Sequence, residues 1–471
     1  MGQDFEKQGA PSLFPSKYFW FLVVVGFSVV IRALAIAAVP RSLSEDTDLY
    51  RALAQSIIHE GRFALAGNPT AFRPPVYPLL LVPGLILSGG AWWGIALLHL
   101  VLTAATVAAV YALGLIVGGT PVAVLAGLLV AMDPLLNWQA TQIMSETAAA
   151  ALTACTLLSA VDTVTTRRTD RAFLTGLLGG LAALTRSNLL PWSLLLPVLL
   201  GVAAWRPGPE GRVGTSGRKS GAADGIWPNG ASASPPEDWG GTRLLKPVIL
   251  SLAGVLGLFV VLAPWASRNR LVLGSWILGT THGGVTFLLA NNDDFYDHLG
   301  NGRNPRTWRA DEFQIAWTRR VATSGLKNEI EIDKFAYRLA LDTIRRRPVE
   351  FCQACLIRLG WIWSLRPGEH LAATLPFRAV LLGLVMAFYA VEYALAIAGL
   401  VALTKVGKSR PELNCLLWLG VLLLLVLSCV HSLYWSNVRM RAPAMPFLAL
   451  VAAFGVHWLT KRVFTRDTRP T

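Results

Sequence analysis

Charged residues make up only 15% of the 471-residue chain and cysteines number five, while 54% of the residues are hydrophobic. So few charges exclude an ordinary soluble domain of this size. So few cysteines exclude a disulfide framework. Cys155, Cys415 and Cys429 lie inside apolar runs, where a packed thiol is expected. Cys352 and Cys355 form a C-x-x-C with no second pair or histidine cluster nearby, which reads as a helix face rather than a zinc site. The alternating pattern of a membrane β-barrel is also missing, so the apolar runs read as helices, the other way to satisfy a backbone in lipid. An internal repeat of the kind that builds many transporters is missing too. No short basic region, apolar core and small-residue cleavage site opens the chain, so its first apolar run, Tyr18 to Val39, is expected to be retained.

What is present is a series of runs long enough to cross a hydrocarbon core of about 30 Å. They fall at 18–39, 90–117, 121–138, 146–166, 172–185, 189–205, 246–265, 379–404, 413–433 and 443–460. The fold class is therefore an all-α polytopic membrane protein, a helical bundle of about ten transmembrane helices within a range of roughly eight to thirteen. The piece from Val76 to Leu87 follows Pro74-Pro75, contains Pro78, and is expected to lie near the interface. Lys and Arg in short loops favour the cytoplasm. Lys7 and Lys17, then Arg167, Arg168 and Arg171, then Lys405, Lys408 and Arg410, then Lys461, Arg462, Arg466 and Arg469 all fall on one side of a ten-span chain. Both termini are therefore expected in the cytoplasm, and the excess of 42 basic over 28 acidic residues signals topology and anion contacts, not nucleic acid.

The expected division is an N-terminal transmembrane half, 1–205, with a polar first outer loop at 40–75; a flexible cytoplasmic linker, 206–245; a transmembrane helix, 246–265; an external loop region with amphipathic helices, 266–378; and C-terminal transmembrane helices with a basic tail, 379–471. The linker assignment rests on Gly, Pro and Ser with little apolar content. In the external region, 311–323 and 333–347 carry helical periodicity.

On this topology the outer face collects Glu45, Asp46, Asp48, Arg73, Glu146, Arg186, Arg268, Arg270, Arg439 and Arg441. Any one of these arginines could be an interfacial anchor. Together, acids from the first outer loop and arginines from the last have to meet across the bundle, the way a site assembles from distant sequence. Guanidinium groups hold phosphate oxygens in a bidentate grip, and a carboxylate can take the proton of an attacking hydroxyl. Such a set suits displacement of a phosphate from a lipid-linked sugar, with inversion at the anomeric carbon. His282 and His431 have no spacing for a metal, and His99, inside a span, reads as hydrogen-bonded packing.

The stretch SEDTDLYRALAQSIIHEGRFA followed by TAFRPPVYPLLL resembles the first outer loop of bacterial protein-O-mannosyltransferase-like glycosyltransferases of the GT-C superfamily. MDPLLNWQATQIMSET, LAALTRSNLL, LAPWASRNRLVLGSWILGTTHGGVTFLLANN and RMRAPAMPFLALVAAFG continue the resemblance in family order, from about residue 18 to 460. It implies a GT-C type bundle in the bacterial inner membrane, working on its periplasmic face as a monomer. It implies transfer of one sugar from a polyprenyl-phosphate donor to a lipid, glycan or protein acceptor. Carried over, the acidic position four before Tyr50 is Asp46, expected as base, with Asp48 as its competitor; Ser44 and Asp46 could equally cap the following helix. Asp46-Thr47-Asp48 also reads as D-x-D, which leaves a divalent cation (Mg or Mn) open. Arg439 or Arg441 is expected at the donor phosphate, only one of them reaching it and the other anchoring the interface. Arg268 is either a second phosphate contact or a brace for the outer loop. Arg73, Tyr50, Glu146, Arg186 and Asn269 are expected to organise the site. The competing readings are a transporter or flippase of polyprenyl-linked glycans or lipids, and an inactive scaffold of the same shape.

Overall fold

The structure, a computed structural model, describes residues 16–205, 242–305, 308, 310–366 and 378–466. Lys7, Arg469, residues 206–241 of the expected linker and residues 367–377 of the external region lie outside the described residues.

The chain begins with α1 (Lys17–Ala38), whose first turn is capped by the Ser16 hydroxyl accepting from the Phe19 amide. The first loop then holds α2 (Tyr50–Glu60), a minimal hairpin of β1 (Ala64–Leu65) and β2 (Asn68–Pro69), and α3 (Val76–Leu87). At twelve residues α3 is too short to cross, as its prolines suggest. Next come α4 (Trp92–Gly118), α5 (Thr120–Met132), α6 (Pro134–Gln139), α7 (Glu146–Thr166), α8 (Thr169–Thr185), α9 (Leu190–Trp205) and α10 (Thr242–Leu273). The segment beyond α10 contributes α11 (Gly283–Ala290), α12 (Asp293–Gly300), α13 (Ala310–Thr323), α14 (Glu329–Arg346) and α15 (Pro348–Ile362). The chain returns through α16 (Arg378–Val406), α17 (Pro411–Leu433), a 3-10 segment Val438–Ala444 and α18 (Met445–Arg466).

Eight of the described helices are long and apolar enough to cross a membrane, and the chain is a multi-pass membrane protein of all-α type. α5 and α8, of 13 and 17 residues, occupy two of the ten expected crossing positions but are not among these eight. Three expectations are corrected. The run 121–138 is not one span: Pro134 lacks the amide that would continue α5, and the Asp133 carboxylate instead accepts from the Leu136 amide at 2.8 Å and starts α6. The span expected at 246–265 continues to Leu273, so Arg268 and Asn269 sit on the last turns of a helix rather than in a loop. Residues 242–245, expected in the linker, already belong to that helix.

α7 and α18 form the centre, each with 78% of its apolar window buried, against 22% for α1 and α16, which face outward. Small residues bring backbones together where hydrophobicity no longer discriminates between lipid and protein. A Cβ at Gly176 of α8 would collide with the Gly254 carbonyl of α10, and one at Gly399 of α16 with the Val451 carbonyl of α18. Arg32 of α1 is held inside the bundle by donating to Asn137 Oδ1 and to the Val130 carbonyl, both at 3.1 Å. Cys352 and Cys355 lie along α15 as free thiols, the Cys355 sulfur accepting from Arg358 at 3.4 Å.

The alternating helices separate two ends. At one, the Tyr111 hydroxyl donates to the Lys17 carbonyl at 2.7 Å and Arg410 donates to the Ile116 carbonyl at 3.0 Å, with the basic α7–α8 and α16–α17 turns beside them. At the other lie the first loop, α11 to α15 and the 3-10 segment.

Candidate active site

The first loop turns sharply at Leu49, which adopts φ 63°, ψ 20°, a left-handed conformation that costs a side-chain-bearing residue about 1–2 kcal/mol. The turn separates the two acids flanking Thr47. Asp46 is drawn back onto the start of α2, its oxygens accepting from the Arg51 and Ala52 amides at 3.0 and 2.7 Å. Asp48 points away and meets Arg73, whose guanidinium donates to Asp48 Oδ1 at 2.7 Å and to the Asp48 carbonyl at 3.0 Å. Asp46, the expected base, thus caps α2, which does not by itself exclude catalysis, and its competitor Asp48 is the acid that enters the arginine cluster.

The cluster closes with residues from α7, the α8–α9 turn and the 3-10 segment. Glu146, fully buried at the start of α7, pairs with Arg186 at 2.7 Å and with Arg439 Nε at 3.5 Å. Arg439 also approaches Asp48 Oδ2 at 3.9 Å and donates to the Met144 sulfur at 3.3 Å. Arg186 donates to the Ser145 hydroxyl at 3.2 Å, and that hydroxyl lies 3.3 Å from the Tyr50 phenol. Two carboxylates therefore face three guanidiniums. Asp48 Oδ1 is held tightly by Arg73, while Oδ2 has only the long contact to Arg439, a loose pair that an incoming anion can open.

The other expected site residues fall elsewhere. Arg441 is no interface anchor: it is 1% exposed, donates to the Ile362 and Ser364 carbonyls at 3.2 and 2.5 Å, and lies 4.3 Å from the Tyr389 ring centre. Arg268 donates to the Thr70 and Phe63 carbonyls, both at 2.7 Å, and braces the outer loop. Asn269 donates to the Ile277 carbonyl at 2.9 Å and holds the chain as it leaves α10. Arg270 is exposed and bonds the Gly274 carbonyl, and Glu45 is exposed. His99 is a packing residue, hydrogen-bonded to the Tyr77 phenol at 2.8 Å and the Ala140 carbonyl at 2.7 Å. His431 lies 2.8 Å from the Asn188 amide. His282 stacks edge-on with Phe72, and burial next to Arg73 pushes its imidazole down to about 3, so it is neutral.

A divalent cation does not fit between Asp46 and Asp48. Both Asp46 oxygens are taken by amides and Asp48 Oδ1 by Arg73, which leaves only Asp48 Oδ2, 3.9 Å from Arg439, as a carboxylate oxygen for a cation. Among the described residues no group of three or more His, Cys, Asp and Glu comes together.

Sequence reasoning missed a cavity of about 590 Å³ on the other side of Arg439. Trp138, Trp308, Trp361 and Trp435 line it with Gln139, Ser436, Asn437, Arg366, Arg439 and Arg441. The Trp308, Trp361 and Trp435 rings surround Phe295, and Arg366 is exposed with no side-chain partner among the described residues. These residues are scattered over α6, α15 and the connections around α12 and the 3-10 segment, so only the fold assembles them. The single available signal was the unusual tryptophan content, 17 residues.

The external helices brace the site. Glu329 at the start of α14 accepts from the Thr70 hydroxyl at 2.5 Å and the Ala71 amide at 2.7 Å, just before Arg73. One turn on, Asp333 accepts from the Gly284 amide at 2.6 Å. Burial raises its carboxyl to about 6. With its folded value above the ordinary 3.8, the folded state holds the proton more tightly, so stability is present below about pH 4 and is lost as pH rises towards 6. Thermal unfolding of the intact protein against Asp333→Asn is therefore expected to diverge between pH 4 and 6, the wild type losing ground and the asparagine variant staying level. Parallel curves would contradict this.

The fold and the ionic cluster define the class: a polytopic helical membrane protein with an acid-and-arginine site at one end of its bundle. Residues 72–217 match the family model described as dolichyl-phosphate-mannose-protein mannosyltransferase. No curated protein matches the chain. Among solved structures, it is similar to the archaeal oligosaccharyltransferase AglB from Archaeoglobus fulgidus in complex with an inhibitory peptide and a dolichol-phosphate. That alignment has 14% identity and a TM-score of 0.49, covering 96% of this chain and 51% of the other. It is also similar to ArnT from Cupriavidus metallidurans bound to undecaprenyl phosphate, with 15% identity and a TM-score of 0.38, covering 96% of this chain and 80% of the other. The chain spans about half the length of the archaeal oligosaccharyltransferase.

Proposed function

We propose that the chain is a glycosyltransferase of the bacterial inner membrane that moves one sugar from a polyprenyl-phosphate donor to an acceptor hydroxyl on the outer face, with inversion. The observation that carries this reading is Asp48, gripped on one oxygen by Arg73 and loosely on the other by Arg439, at the bundle end opposite the basic turns. In this account the donor phosphate draws Arg439 away from Asp48, which frees Oδ2 as the base. The acceptor oxygen forms its bond to the anomeric carbon as the carbon–oxygen bond to phosphate breaks. The acceptor proton passes to Asp48, and polyprenyl phosphate leaves with its charge held by arginine. Glu146 and Arg186 keep Arg439 placed between the two tasks. The basic end faces the cytoplasm by the charge rule, with both termini there.

The test is transfer of radiolabelled sugar from polyprenyl-phosphate donors by the protein in reconstituted vesicles; consumption of donor with release of polyprenyl phosphate supports the reading. Because the acids face arginines and amides, EDTA is expected to leave the transfer rate unchanged. A rate that collapses with EDTA and returns with Mg or Mn would contradict this expectation.

A further inference from the structure

Resting on the donor reading above, we propose that the tryptophan-walled cavity seats the donor's sugar ring and selects an uncharged, hydroxyl-rich sugar over a protonated amino sugar. Three observations converge. First, four half-buried tryptophans line the cavity, an aromatic wall of the kind that suits the C–H face of a pyranose; Trp308, Trp361 and Trp435 are stiffened by their mutual packing around Phe295. Second, Gln139 and Ser436 also line the cavity, are 3% and 2% exposed, and leave Gln139 Oε1 and the Ser436 hydroxyl without a hydrogen bond. Buried polar atoms rarely stay unpaired, and a neutral amide and a hydroxyl are partners for sugar hydroxyls. Third, the charged side chains lining the cavity are Arg366, Arg439 and Arg441, with no Asp or Glu among the described lining. The nearest carboxylates of the cluster, Asp48 and Glu146, are already outnumbered by Arg73, Arg186 and Arg439. An ammonium group on the sugar would meet a lining whose charged side chains are all arginine; the buried Asp133, 3.3 Å from the lining Tyr389 phenol, and the buried Glu392 stand behind that wall and not in it. The same arginines favour the phosphate that the sugar leaves behind, so one cavity attracts the anion and rejects a cationic ring.

Binding measured by quenching of tryptophan fluorescence, with the full chain in lipid nanodiscs at pH 7, tests this. The probes are a polyprenyl phosphate bearing an uncharged hexose, the same carrier bearing an amino sugar, and the bare carrier. The hexosyl carrier is expected to bind about tenfold more tightly than either of the others, the scale of two added hydrogen bonds. Gln139→Leu and, as the milder change, Ser436→Ala are expected to lower hexosyl affinity towards that of the bare carrier while leaving the bare carrier's own affinity unchanged. Equal or tighter binding of the amino sugar would overturn the inference, as would a hexosyl carrier that binds no better than the bare one, or variants that keep the full preference. Selective binding without any sugar transfer would instead leave the inference standing and remove the transferase reading.

Discussion

On the proposed reading, Asp48→Asn is expected to abolish sugar transfer in a protein that still folds and still binds its donor, with kcat lower by about 10²–10⁴, the range for loss of a positioned base. Asparagine keeps the shape of the side chain and a carbonyl oxygen for Arg73, which now donates to Oδ1 at 2.7 Å, but it cannot take a proton. Asp46→Asn is the matched control. Its two oxygens accept from the Arg51 and Ala52 amides; asparagine keeps one of these acceptors, so a stability cost of about 1 kcal/mol with activity within a fewfold of wild type is expected. Single-turnover transfer from labelled donor separates the two. If Asp46→Asn is the dead variant and Asp48→Asn the live one, the base assignment made from the ionic cluster is wrong.

The two arginines of the 3-10 segment diverge as sharply. Arg439→Ala removes the guanidinium that approaches Asp48 at 3.9 Å and Glu146 at 3.5 Å without opening the bundle. A lost charge-assisted contact to phosphate is worth about 1.5–3 kcal/mol, so kcat/KM is expected to fall roughly 10- to 100-fold in a protein that purifies normally. Arg441→Ala acts on stability instead. Its guanidinium ties the Ile362 and Ser364 carbonyls of α15 and its exit to the segment leading into α18, and it lies against Tyr389. Removing it strands two carbonyls inside the molecule, a loss of about 3–5 kcal/mol. Thermal unfolding in detergent should show the Arg441 variant collapsed and the Arg439 variant near wild type. The opposite pattern would contradict their separate roles.

Much of this is legible in the sequence because lipid makes it so. An apolar run of sufficient length can only be a helix there, and the basic turns mark one end of the bundle, so the all-α multi-pass fold and its polar end follow from composition, while the count of ten runs exceeds the eight described helices long enough to cross. The choice between Asp46 and Asp48 does not follow. Both sit at plausible spacing before Tyr50, and what separates them is the left-handed backbone at Leu49, a conformation that leucine does not announce. Arg439 and Arg441 were likewise equivalent by spacing. Their difference arises because α15, a helix whose apolar pattern was not singled out, passes close enough to receive Arg441. The cavity was invisible for the same reason. Trp138, Trp308, Trp361 and Trp435 lie far apart in the chain, and periodicity along one helix says nothing about which aromatic residues different helices bring together.

The central claim is that the acid-and-arginine cluster transfers a sugar from a polyprenyl-phosphate donor. The most direct measurement is the fate of such a donor, labelled in its sugar, in vesicles containing the wild-type protein or Asp48→Asn. The account predicts label appearing on an acceptor, with free polyprenyl phosphate formed in step, for the wild type only. Intact donor moving between leaflets with its sugar still attached, at the same rate in both proteins, would contradict it.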